Sequence, residues 1–174
     1  VGQAMIRVID DVVSGMPILW TRAATDQSGS TGSTLFDLEG DGAKELVYRD
    51  EDSLYIFNAA TGANLSVRAC RSGTIFERPT VLDVNGDGQT EIVCGCGDPS
   101  AADRADGSIV AFYSTNRPWV PSRSVWNQHS YWAVNILENL SVPRQQQNHS
   151  LWPNLNAFNF QTTYLDINGD PTLG

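Results

Sequence analysis

The sequence has 174 residues, 41% of them hydrophobic and 9% aromatic, which is enough for one ordinary domain with a core, or for part of a larger one, and unlike a disordered chain. No apolar run approaches the ~20 residues of a membrane-crossing helix, so no membrane span is expected. The formal charge is −9 and the basic residues are ten Arg with the single Lys44, which argues against a nucleic-acid partner, because phosphate binding needs Lys and Arg gathered on one face.

The chain begins at Val1 with neither an initiator Met nor a signal-peptide pattern, as expected of a chain whose leader was removed or that was excised from a longer one. Met5 to Val13 and Pro17 to Arg22 read as strands closing a preceding or partial unit over residues 1–33. Residues 34–79 read as one small antiparallel unit. Its strands are Thr34 to Phe36, Glu45 to Arg49, Ser53 to Phe57 and Asn64 to Ala69, with a turn at Asn58 to Gly62. Residues 80–116 repeat it, with strands at Thr80 to Leu82, Glu91 to Gly95 and Ser108 to Phe112 and a polar loop at Asp98 to Gly107. Residues 117–162 change character: Pro118, Pro121, Pro143 and Pro153 interrupt them and four of the five Trp lie here. Ser124 to Leu140 is compatible with a packed strand or a short helix. Residues 163–174 hold Leu165 to Asp170 (LDINGD), either a third loop cut short or a polar turn before a linker.

The internal repeat organises the rest. Phe36 to Val47 (FDLEGDGAKELV) and Leu82 to Val93 (LDVNGDGQTEIV) coincide at an offset of 46 residues, Asp37 to Asp83. Blades stacked in this way bury the aliphatic face that one blade cannot cover, so the expected fold is all-β, with antiparallel, propeller-like blades. In the first loop Asp37, Glu39, Asp41 and Glu45 stand at positions 1, 3, 5 and 9, and Ala43 at 7 offers a backbone carbonyl. In the second, Asp83, Asn85, Asp87 and Glu91 do so, with Gln89 at 7. Alternate oxygen donors converge when a chain curls around a hard cation, and Gly at positions 4 and 6 permits the curl. Two Ca²⁺ ions are therefore expected, bringing the charge to −5. An EF-hand is unlike this, because position 12 holds Tyr48 and Cys94 and β-type residues flank both loops. A plain Asn-Gly or Asp-Gly turn is the alternative, disfavoured by two copies in register.

These loops resemble FG-GAP or VCBS-type repeats, found in integrin-α propellers and many secreted bacterial proteins, over roughly Leu35 to Phe112. The segment Pro118 to Gln147, with WNQHSYW at Trp126 to Trp132 and VPRQQQ after it, is similar to a stretch of large surface proteins of gliding or adhesive Bacteroidetes. The resemblances imply export to the cell surface, by type IX secretion, with adhesion or filament formation and no catalytic residues.

Three cysteines remain. Cys94 and Cys96 alternate on one strand, too far apart along it to bond easily, and Cys-x-Cys alone is too sparse for a zinc site. In an oxidising compartment Cys70 is expected to pair with one of them, Cys70 with Cys96 being the candidate bond, leaving an odd thiol. No Gly-x-Ser-x-Gly elbow, His-Glu-x-x-His helix or phosphate-cradling glycine loop occurs, so an enzyme is not expected, and His129 and His149 read as structural. Candidate glycosylation positions are Asn64, Asn139 and Asn148 in sequons, and Ser53 in a short O-glycosylation-like Asp-Ser-Leu. The leading function is a calcium-stabilised structural or adhesive module of a secreted or cell-surface protein, partnered by other copies or neighbouring domains. The alternatives are a carbohydrate-binding module, with Trp126, Tyr131 and Trp132 as stacking candidates for glycans, and an accessory domain of a secreted enzyme.

Overall fold

The computed structural model describes residues 4–9, 15–73, 77–97, 107–127, 131, 136–137, 139–145, 164–165 and 171–172. Among these the chain is all-β, with no helix. Strands β1 (Ala4–Ile9) and β2 (Ile18–Ala24) pair antiparallel as a two-stranded sheet. A four-stranded sheet follows in the order β3 (Ser33–Phe36), β4 (Glu45–Arg49), β5 (Ser53–Asn58), β6 (Asn64–Ala69). Strands β7 (Thr80–Leu82), β8 (Glu91–Gly97) and β9 (Gly107–Phe112) make a three-stranded sheet, and β10 (Tyr164–Leu165) pairs with β11 (Pro171–Thr172). The repeat strands thus fall where turn punctuation and apolar alternation put them. The sheets are open, and none closes into a propeller among the described residues.

The stretch read as a strand or short helix, Ser124 to Leu140, is neither where it is described. Pro118, Pro121 and Pro143, which lack an N–H donor, flank it on both sides. Asn148, His129, His149, Trp132, most of the Asp98 to Gly107 loop and the loop at Asp166 to Asp170 lie outside the described residues.

The chain divides into two compact units. One comprises Val1–Ser33, Ala43–Pro79 and Cys94–Val110. Here β4 is buried along its whole length, and its register with β5 sets Leu46 opposite Phe57, Val47 opposite Ile56 and Tyr48 opposite Tyr55. Full burial of Leu54, Ile56 and Phe57 on β5 is worth roughly 1.5–3 kcal/mol each. Trp20 of β2 packs its ring 5.8 Å from Phe57 and donates its Nε1–H to the Ala59 carbonyl at 2.8 Å. The Asn58 turn makes room for it. Asn58 Oδ1 accepts from the Ala60 and Thr61 amides, and Gly62, at φ +70°, donates back to the Asn58 carbonyl. A Cβ on Gly62 would stand 2.6 Å from the Trp20 ring, so this position requires glycine. Buried Asp26 accepts hydrogen bonds from Ser28, Gly29 and the Tyr48 hydroxyl. Burial alone would raise its pKa, but the Ser28 and Gly29 bonds outweigh it and hold the carboxyl below the usual range.

The other unit comprises Thr34–Gly42, Thr80–Val93 and Ala111–Gly174. Phe36, Leu38, Val81 and Ile92 are fully buried in it, as are Thr34 and Thr90. Val125, Tyr131 and Ile136 form a small cluster with Trp126 packed against it. Arg123 ties that cluster together, donating to the Tyr131 hydroxyl at 2.7 Å and the Ile136 carbonyl at 2.9 Å.

Candidate metal loops

The second loop lies wholly in one unit and shows how the motif is built. Asp83, at the end of β7, is buried, and its carboxylate accepts from the Gly86 amide at 2.7 Å and the Gly88 amide at 3.0 Å. These bonds need the chain to turn back on itself twice. Gly86 at φ +78° and Gly88 at φ +85° supply both left-handed steps without a Cβ penalty. Asn85 Oδ1 then accepts from the Asp87 amide, and Asp87 Oδ1 from the Gln89 amide, each at 2.8 Å. Glu91, the first residue of β8, is buried and reaches back to accept the Val84 amide at 2.9 Å.

Three carboxylates therefore crowd one loop. Glu91 is held above its ordinary carboxylate pKa, first by burial and then by the charges of Asp87 and Asp83. Hard oxygen donors crowded in this way fit a hard divalent cation, which would relieve that repulsion. The three carboxylates do not come within 4.8 Å of one another as a set. Gln89 is partly exposed.

The first loop uses the same device. Asp37 accepts from the Asp41 amide at 3.0 Å and the Gly42 amide at 2.8 Å, with Gly40 and Gly42 at φ +70° and +88°. Glu39 is partly exposed and Asp41 exposed; in the other unit Ala43 is exposed and Glu45 is buried at the start of β4.

Residues that spacing alone did not single out line these loops. The Val120 amide donates to the Leu38 carbonyl at 2.9 Å, the Thr90 hydroxyl donates to the Val120 carbonyl, and the Asp83 amide donates to the Arg123 carbonyl at 3.1 Å. A Cβ on Gly40 would meet Val120 at 2.6 Å. Residues 120–123 are thus laid along the Asp37 and Asp83 loops by their backbone. Beside the second loop a cavity of about 560 Å³ is bounded by Asn85, Asp87, Gln89 and Glu91 and closed by Tyr113 to Thr115 and Pro118. Tyr113 is 65% exposed there.

Of the other candidate positions, Asn64 is exposed at the start of β6 and Ser53 is partly exposed at the start of β5. Asn139 is exposed, its Oδ1 accepting from the Ser141 hydroxyl. Cys70 is bonded to Cys96, and Cys94 remains a buried free thiol.

No protein-family model and no curated protein matches the chain. A solved structure does. The chain is similar to the crystal structure of the V. cholerae biofilm matrix protein Bap1, with a TM-score of 0.74 and 22% identity. The match covers 98% of this chain and 27% of that one, so this chain spans about a quarter of that protein's length. At this identity the likeness concerns the fold.

Proposed function

We propose that this chain is a calcium-stabilised, non-enzymatic structural or adhesive module of an extracellular protein. Its FG-GAP-like repeats would act as propeller blades, with further blades supplied by other copies or neighbouring domains. The observation that carries the reading is the Asp83 loop, where backbone turns fold around buried Asp83, and Glu91 is held above its ordinary carboxylate pKa by burial first and by the charges of Asp87 and Asp83 second. A loop held in that state without a counter-ion costs stability, and a divalent cation offsets the cost. The same reading extends to Asp37, Glu39 and Asp41 of the first copy. The extracellular role is supported by the fold shared with a biofilm matrix protein.

The test is thermal unfolding of the chain in calcium and in excess chelator. At calcium one hundred times its Kd, stabilisation by about 2.7 kcal/mol is expected for each site. Asp83→Ala should lose one increment and keep the other. An unchanged melting temperature on chelation would end the calcium reading.

A second reading has its own observation. The cavity beside Glu91, with exposed Tyr113 on its wall, has the size of a small-ligand site and the aromatic face that a sugar ring stacks on. A glycan array with wild type and Tyr113→Ala separates the two. Calcium-dependent glycan binding lost in the variant supports a carbohydrate-binding module.

A further inference from the structure

The three cysteines come together more closely than a disulfide and a spare thiol require. Cys94 and Cys96 alternate on β8 and share its buried face. Cys70 follows β6 and is brought beside them where Arg71 bridges Gly97 and the Gly97 amide donates to the Arg71 carbonyl at 2.6 Å. Cys94 Sγ is 3.6 Å from Cys70 Sγ and 3.8 Å from Cys96 Sγ. All three residues are buried, and their sulfurs lie within 4.8 Å of one another.

We propose that Cys70, Cys94 and Cys96, once the Cys70–Cys96 bond is reduced, form a three-thiolate site for a soft monovalent ion, Cu(I). A metal ~2.3 Å from each sulfur sets the sulfurs about 3.8 Å apart in a tetrahedral site and about 4.0 Å apart in a planar trigonal one. Both non-bonded sulfur distances lie close to those values before any rearrangement. Thiolate donors select Cu(I) among soft ions, and a buried triad offers three ligands with little access for the water that a fourth position takes.

The surroundings suit the charge that forms. Arg49, from β4, is 1% exposed, and its Nε and Nη2 have no hydrogen-bond partner among the described residues. Its guanidinium donates Nη1–H to the carbonyl of Gly95, the residue between the two β8 cysteines, while Nη2 stands 3.6 Å from the Glu77 carboxylate. Burial pushes the Cys94 thiol up to about 11, and the Arg49 charge acts against that rise. Copper must therefore displace a proton there, as metals do at thiol ligands.

The steps balance as follows. A low-molecular-weight thiol reduces the bond, two RSH becoming RSSR as Cys70 and Cys96 each gain a proton. Cu(I) then forms three Cu–S bonds and three protons leave, with no change in the oxidation state of copper. The complex carries two negative charges, which the buried guanidinium partly offsets.

The experiment titrates the phosphine-reduced chain with Cu(I) against bathocuproine disulfonate, with circular dichroism followed throughout. Wild type is expected to hold one Cu(I) per chain at least tenfold more tightly than Cys94→Ala, with near-ultraviolet thiolate-to-copper absorption. Cys94→Ala keeps both disulfide cysteines, so its oxidised form controls for folding. If reduction unfolds the chain, Cu(I) should restore its β-sheet spectrum in wild type and not in the variant. Equal affinities, binding without recovery of structure, or a preference for Zn(II) would each overturn the proposal.

Discussion

Glu91 carries the electrostatics of the second loop in one side chain. Its folded pKa lies above its ordinary value of 4.5, through burial first and the neighbouring Asp87 and Asp83 second. A group raised in this way contributes its full stability below the unfolded pKa and loses it as pH rises through the folded one. In chelator, the melting temperature should therefore carry a loss that begins near pH 4.5 and grows upward, and calcium should reduce that loss. Glu91→Gln should abolish both the loss and the calcium increment, as read from melting curves between pH 4 and 7. Asp26 acts in the opposite sense, because its pKa is lowered. Its contribution is present above the unfolded value and is lost as pH falls through the folded one, so Asp26→Asn isolates the acid limb of the same profile.

At the scale of elements, the turns decide more than the strands do. Gly62 and Gly88 both have positive φ, but only Gly62 has the Trp20 ring against the place of a Cβ. Gly88→Ala should cost about 1 kcal/mol in urea unfolding, the strain of a left-handed residue, and Gly62→Ala should cost clearly more. These turns were legible in the sequence, because Gly-Asp-Gly at fixed offsets leaves few conformations, and the strands they punctuate were legible with them. The full burial of β4 was less so: Arg49 at its end looks like a solvent-facing charge, yet it is buried. The lining of the loops by Val120 and Arg123 left no pattern to read. It is made mostly of backbone carbonyls and amides, which every residue carries, and the prolines around it read as interruption. The cysteines fell between these cases. A pairing of Cys70 with Cys94 or Cys96 was foreseeable for an oxidising compartment, but the gathering of all three sulfurs depends on where the chain after β6 meets β8.

For the whole chain, two features bear on stability and association. The disulfide closes a separation of 26 residues, and its reduction should cost about 3.5 kcal/mol on the chain-entropy account, measured as the difference between oxidised and reduced unfolding. Apolar side chains stand out on strand surfaces, notably Ile9, Ile18 and Leu19 on the first hairpin and Leu65 and Val67 on β6. Exposed strand surfaces of this kind invite pairing with another chain. Light scattering in calcium should show oligomers, whereas a monodisperse monomer would count against assembly. The position of the disulfide in the chain has a mechanical consequence. Strand β7 and the whole Asp83 loop lie between Cys70 and Cys96, inside the covalent ring. Tension applied through the two ends of the chain passes across the sulfur bridge and leaves that ring slack. In a pulling experiment the oxidised chain should hide about 90 Å of extension that appears only after reduction. Under load, the Asp83 loop would be the last part of its repeat to be stretched.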